Sequence, residues 1–304
     1  MTEFYLPSHG KGRIHCVQWT PPGQPRAVVQ LVHGIAEYVA RYDSFARFLN
    51  RQGFLVVGED HMGHGGSLAP GDPPGYFHGG WNAAVDDTYA LLQKTHGECP
   101  QLPYVILGHS MGSFLTRQYI QMHADGLSGA IIMGTGSQPG IILHIGKLIC
   151  RTIALFRGWT YRSAFVDNMA FGGYNKQFEP ARTPSDWLTK DEAIINTCIH
   201  HPWSTFRFTV NGYYQMFRGI QYIQNPAHIQ QIPKNLPLFF VAGGDDPVGD
   251  NGKSVTQVCQ QYKAAGIQDV QIKLYPGDRH EILNETDRDV VYADLLTWLN
   301  GHLA

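Results

Sequence analysis

Residues 27–33 read Ala-Val-Val-Gln-Leu-Val-His. An almost unbroken apolar run of that length predicts a central strand covered on both faces. Apolar positions at helical spacing follow over residues 42–50, Arg51-Gln52-Gly53 marks a helix stop, and residues 54–58 form the next apolar run. Strand, helix, strand in that order is the unit of a parallel sheet. The alternation continues with a helix over residues 81–94, a strand over 104–107, a helix over 114–120 and a strand over 129–133. Upstream, the β-rich run 13–19 is linked to 27–33 by a Pro/Gly turn, and the two are expected to pair as a hairpin or meander at one sheet edge.

From residue 137 to 233 this rhythm stops. The segment is helical or irregular and rich in aromatics, among them Phe165, Phe171, Trp187, Trp203, Phe208, Tyr213 and Phe217. A structureless loop of such length is improbable in a compact domain, so an inserted helical subdomain is expected, most of its aromatics forming a small core of its own and some facing the main domain, since a thin layer cannot bury so many. Alternation resumes with a strand over 236–241, a helix over 253–265, a last strand over 270–274 and a closing helix over 289–299. The expected organisation is therefore a core domain of residues 1–136 and 234–304, interrupted by a helical cap over 137–233.

Composition narrows the function. A formal net charge of −2, with no run of Lys and Arg, provides no field for nucleic acid. The five cysteines, at 16, 99, 150, 198 and 259, are odd in number and scattered, which argues for free thiols and a cytoplasmic setting. Residues 1–19 lack a basic start followed by an apolar core, so no secretory signal is expected. The most apolar stretch, residues 141–156, is interrupted by His144, Lys147 and Arg151. It is expected to pack on the core domain rather than to span a bilayer.

The chemistry centres on Gly108-His109-Ser110-Met111-Gly112, a G-x-S-x-G between a predicted buried strand and a predicted helix. A serine on so sharp a corner needs neighbours almost without side chains, and Gly108 and Gly112 supply them. The corner lifts the hydroxyl above the sheet and aims the first N–H groups of the helix at the same point. An alcohol needs a base, and that base needs a carboxylate to fix its tautomer. Ser110, Asp246 and His280 follow one another in the chain order of the α/β-hydrolase fold, each just past a predicted strand. Asp246 is preferred as the acid, with Asp245 and Asp250 as alternatives. The expected oxyanion donors are the N–H of Met111, after the nucleophile, and that of Ile35, in the loop His33-Gly34-Ile35 after an early strand. His61 and His64 sit in a glycine-rich loop that is not expected to bring their rings to one face, so they are read as structural. Neither a metal nor an organic cofactor is implied.

These residues resemble the monoacylglycerol lipase and lysophospholipase-like α/β hydrolases, often labelled serine aminopeptidase-like hydrolases. The resemblance covers residues 27–135 and 236–300. It rests on His33-Gly34 with Glu37, Arg41 and Tyr42; on Asp60 with Gly63-His64-Gly65 and Ser67; on Gly108 to Gly112; on Gly243 to Asp246; and on Arg279-His280-Glu281 with Asn284-Glu285. In that family the acid lies three residues after a glycine, which fits Gly243 and Asp246. Tyr38 departs from the His often found after the motif's glutamate.

The resemblance implies an α/β-hydrolase fold, a mostly parallel central sheet flanked by helices, with the insertion acting as a lid over an acyl pocket. It implies a serine ester hydrolase for a small lipid ester, a monoacylglycerol or lysophospholipid, with transient membrane-surface contact through the lid. Two alternatives stand beside it. One is a proline-type serine aminopeptidase, in which Glu179, Asp186, Asp191 or Glu192 would bind a free amino terminus. The other is a non-catalytic ligand-binding protein on the same fold, which the intact Ser110, Asp246 and His280 set disfavours.

Overall fold

The computed structural model describes residues 1–303. Its eight strands are β1 (Thr2–Pro7), β2 (Arg13–Trp19), β3 (Ala27–Val32), β4 (Phe54–Glu59), β5 (Tyr104–His109), β6 (Gly129–Met133), β7 (Leu238–Gly243) and β8 (Val270–Tyr275). They form one sheet in the order β1-β2-β4-β3-β5-β6-β7-β8, antiparallel at β1 and β2 and parallel from β4 onward. Every residue of β3 through β7 is buried, as the continuous apolar runs require. The edge strand β8 alternates, with Gln271 exposed.

The hairpin expectation for residues 13–19 and 27–33 fails. β2 pairs antiparallel with β4, Cys16 opposite Glu59 and Trp19 opposite Val56, while β3 lies between β4 and β5. β3 is apolar on both faces and so takes a parallel neighbour on each side, leaving β2 to pair antiparallel between β4 and the edge strand β1. The outermost strand, β1, escapes sequence reading because its side chains are mostly exposed and carry no apolar run.

The helices are α1 (Asp43–Arg51), α2 (Gly80–Glu98), α3 (Met111–Met122), α4 (Gly140–Arg157), α5 (Ala164–Phe171), α6 (Glu192–His200), α7 (Val210–Ile223), α8 (Pro226–Ile229), α9 (Lys253–Ala264) and α10 (Arg288–Gly301). Alternate strand residues feed two apolar layers. Val29, Leu31, Val105, Leu107 and Ile131 pack with α1 and α10, and Val28, Ile106, Ile132 and Phe240 pack with α2, α3 and α9. No strand forms among residues 137–233, which hold α4 to α8.

The aromatics of that segment do not form a separate core. Phe208, Tyr213 and Phe217 belong to the same buried cluster as Trp81, Phe114 and Tyr119 of the sheet's helices. Helix α7 packs on α2 and α3, where Gly219 faces Trp81 so closely that a Cβ would come within 2.2 Å of the indole. A thin helical layer lacks the volume to bury such rings by itself, so they share the core beneath. Helix α4 packs one face, Leu143, Gly146, Cys150 and Ala154, against α7. Its opposite face is open, correcting the expectation that residues 141–156 simply pack down. Ile141, Leu148, Leu155 and Phe156 are 64–80% exposed.

Candidate active site

Parallel strands direct their carboxyl ends to one edge, and the loops gathered there come from far apart in the chain. Val32 at the end of β3 lies opposite Gly108 of β5, and Gly243 of β7 opposite Tyr275 of β8. This register sets the loop after Val32 beside Ser110 and the loop carrying Asp246 beside the one carrying His280.

Ser110 occupies the corner between β5 and α3 with φ 55° and ψ −121°. That is a conformation an L-residue adopts at a cost of about 1–3 kcal/mol. The surroundings enforce it. A Cβ on Gly112 would lie 2.0 Å from the Val32 carbonyl oxygen, and one on Gly108 would lie 2.2 Å from Thr116 Oγ1. The Ser110 N–H donates to the Met133 carbonyl at 3.0 Å, fastening the corner to β6.

Across the site, His280 Nδ1 is 2.9 Å from Asp246 Oδ2, both side chains buried. Asp246 also accepts the Val248 N–H at 2.9 Å, which fixes its carboxylate. Asp245 and Asp250, its sequence rivals, are exposed. His280 Nε2 is buried without a hydrogen-bond partner among the described residues, and the imidazole and Ser110 line one cavity. Ile35 and Met111 also line the space at Ser110. The N–H of Gly34 is taken by the Glu37 carboxylate, so among the two it is Ile35 whose amide the loop leaves for another use.

Behind these residues lies a buried polar network that sequence reading quoted as a motif without assigning it a task. Arg41 grips Glu281 with both terminal nitrogens, at 2.9 and 2.8 Å, and Glu37 at 2.8 Å. Tyr42 donates to Glu37 at 3.0 Å, and His109 Nδ1 sits 3.3 Å from the same carboxylate. Burial by itself would push Glu37 up, but the His109 hydrogen bond and the Arg41 charge outweigh it and hold the carboxyl below its usual range. Burial would likewise lower His109, and Glu37 raises it instead. The signal that would have found the network is a run of charged residues inside otherwise apolar surroundings.

His61 and His64 are brought together after all, beside His33, with ring centroids of His33 and His61 4.0 Å apart. Local spacing missed this because His33 comes from another strand. His33 and His61 are tied through backbone groups: the His61 backbone N–H donates to His33 Nε2 and His61 Nε2 lies against the His33 carbonyl, each at 3.0 Å, while His61 Nδ1 is 3.4 Å from Glu59. Burial lowers His64 to about 3, so its ring is neutral. Among the described residues the cluster with acidic ligand spacing is Asp278, Glu285 and Asp287, and the Lys190 ammonium lies within it, 2.6 Å from Asp278.

Two cavities meet at the Ser110 corner, sharing Ile35, Ser110 and Phe171. The first, about 810 Å³, is lined by Met111, Phe114, Leu143, Met216, Phe217 and Ile220. The second, about 850 Å³, is mixed, with Glu37, Arg41, Asp167, Ser204 and His280 beside Trp187, Phe206 and Phe208. None of Glu179, Asp186, Asp191 or Glu192 lines either one. Asp191 instead caps α6, and Asp186 accepts the Arg182 and Thr183 N–H groups.

Residues 23–287 match the family model described as Serine aminopeptidase, S33 (Hydrolase_4). The monoglyceride lipase of Homo sapiens is 35% identical over 298 residues, covering 96% of this chain and 88% of that one. The chain belongs to this family, as a monoglyceride lipase-like α/β hydrolase. Another member, the monoacylglycerol lipase of Mycolicibacterium smegmatis, is 27% identical over 308 residues, 97% of this chain and 96% of the relative. The crystal structure of a thermostable carboxyl esterase from Bacillus coagulans in complex with glycerol superposes with a TM-score of 0.93 at 28% identity, covering 100% and 99% of the two chains. The protein is an enzyme of the hydrolase class. No helix among the described residues is long and apolar enough to cross a membrane.

Proposed function

We propose that the protein is a serine ester hydrolase for single-acyl lipids, monoacylglycerol in the first place and lysophospholipid in the second. Ser110 attacks the ester carbonyl, His280 takes the hydroxyl proton and returns it to the leaving alcohol, and Asp246 holds the imidazole in the tautomer that leaves Nε2 to accept. The N–H groups of Ile35 and Met111 bind the oxyanion, and water then cleaves the acyl-enzyme. In this reading residues 137–233 are a cap over the acyl chain.

The observation that carries the reading is the position of Ser110 between a mainly apolar cavity and a mixed one, in which Glu37, Arg41, Asp167 and Ser204 lie among aromatic rings. A single-acyl ester has that same division at its carbonyl, an aliphatic chain on one side and a polar alcohol on the other. The polar side contains Glu37, Glu281 and Asp167, while its Arg41 is already paired with two carboxylates and Arg207 lies 3.2 Å from Asp167. A neutral glycerol suits it better than a phosphate, which would meet no free cation there. The exposed face of α4, with Arg151 and Arg157 beside its aliphatic residues, supports transient docking on a lipid surface.

A panel of monoacylglycerols and p-nitrophenyl esters of increasing chain length tests this. Each methylene buried in the apolar cavity contributes about 0.8 kcal/mol, or about fourfold in kcat/KM, until the cavity is full. The Ser110→Ala variant should lose all activity and all fluorophosphonate labelling. Flat rates from acetyl to lauroyl, or labelling that persists in Ser110→Ala, would overturn the reading.

A further inference from the structure

The imidazole of His280 is enclosed from two directions. His109, at the end of β5, faces it with ring centroids 4.7 Å apart. On another side lies Trp187, a residue of the cap, its indole 5.0 Å away and tilted by 37°. Trp187 is in turn packed by Tyr174, edge to face at 5.0 Å. The same cap segment is bonded to the loop that bears the imidazole. The His280 N–H points to the Trp187 carbonyl at 3.4 Å, and the Glu281 N–H donates to the Leu188 carbonyl at 2.7 Å. Thr189 Oγ1 donates to the Asn284 carbonyl at 3.0 Å, and Lys190 Nζ reaches Asp278. The cap is stitched to the base-bearing loop along four consecutive residues.

We propose that Trp187 is a positioning residue for His280, fixing the imidazole's orientation and stabilising the imidazolium formed when Ser110 gives up its proton. The inference rests on His280 being the general base. An aromatic face beside a nascent cation is attractive, and indole is the strongest of the side-chain rings in this role. The contact grows in strength as the ring acquires charge, so it favours the transition state over the resting state. The other groups facing the ring are Asp246 at Nδ1, His109 with Glu37 behind it, and Tyr174 beyond the indole. Glu281, next in the chain, is neutralised by Arg41. Of the two uncharged cap residues in this set, Trp187 is the one whose ring packs on the imidazole itself. The base is thus assembled in part by the cap, which couples docking of residues 187–190 to catalysis.

The test compares kcat/KM against pH for the full-length enzyme and for Trp187→Phe and Trp187→Leu, on a short soluble ester that does not depend on the lipid surface. Losing the π face removes support for the imidazolium, so the acid limb of the profile should move to lower pH. The expected displacement is about half a unit or more in the Leu variant and a smaller one in the Phe variant, with kcat reduced about 3- to 10-fold. Melting temperature and fluorophosphonate stoichiometry verify that each variant is folded. If the Leu variant does not fold, the Phe variant decides alone. Acid limbs that coincide with that of the parent enzyme overturn the proposal. His280→Ala separates the two levels: activity surviving in that variant overturns the choice of base itself, whereas an inactive His280→Ala with unshifted Trp187 profiles overturns the role of Trp187.

Discussion

Arg41 and Glu281 are 240 residues apart in sequence and form a two-pronged ion pair in the interior, with N–O distances of 2.9 and 2.8 Å. Because Arg41 also holds Glu37, and Glu37 takes the Gly34 N–H, one guanidinium joins the loop of Ile35 to the loop of His280.

Removing Arg41 would leave the buried Glu281 carboxylate without its counter-charge and Glu37 with His109 alone. The Arg41→Ala variant should lose about 3–5 kcal/mol of stability, the usual cost of breaking a buried pair from one side. Urea unfolding of the two proteins measures it, and a loss below about 1 kcal/mol would mean that water reaches the carboxylates.

Gly34 lies directly against the proposed nucleophile. A Cβ there would come within 2.9 Å of Ser110 Cβ and 2.6 Å of Glu37 Oε1. Gly34→Ala should therefore displace the serine or the loop by a fraction of an ångström and lower kcat about 10- to 100-fold. Fluorophosphonate labelling should slow in parallel while the melting temperature stays within a few degrees. Unchanged kcat would show that the loop yields freely.

Burial opposes charge on His109, but Glu37 overcomes it and raises the imidazole above its ordinary 6.5. A group raised by folding contributes stability that is complete below pH 6.5 and lost as pH climbs through its folded value. The stability difference between the parent protein and His109→Asn should thus narrow as pH rises past 6.5. Melting temperatures across pH 5.5–9 give the curve, and a constant difference would place the neutral form of His109 in the native state throughout.

The open face of α4 predicts a split between substrates. With Leu155 and Phe156 exposed at 80% and 77%, Leu155→Glu together with Phe156→Glu leaves the fold untouched. Hydrolysis of monoacylglycerol presented in anionic vesicles should fall about tenfold or more, since two large apolar contacts with the lipid are lost. Hydrolysis of a short soluble ester should not change. Equal rates on vesicles would assign that face to something other than a lipid surface.

Sequence by itself determined a good deal here, and it did so wherever the determinant was local. Runs such as Ala27 to Val32 can only be interior strands because both faces are apolar, and the glycines around Ser110 mark a corner where no Cβ fits. The order of Ser110, Asp246 and His280 followed from counting strands and helices. The family resemblance, through the spacing from Gly243, favoured Asp246 over its neighbours, though only the fold put it 2.9 Å from His280 and left Asp245 in solvent. Tertiary structure alone decided the rest: which strand β2 pairs with, that His33, His61 and His64 meet, that Arg41 clasps Glu281, and that Trp187 covers the imidazole. Periodicity reports which face of an element is buried but not what it is buried against. Contacts between residues remote in the chain arise only when the sheet order is fixed, and here they surround the proposed catalytic groups.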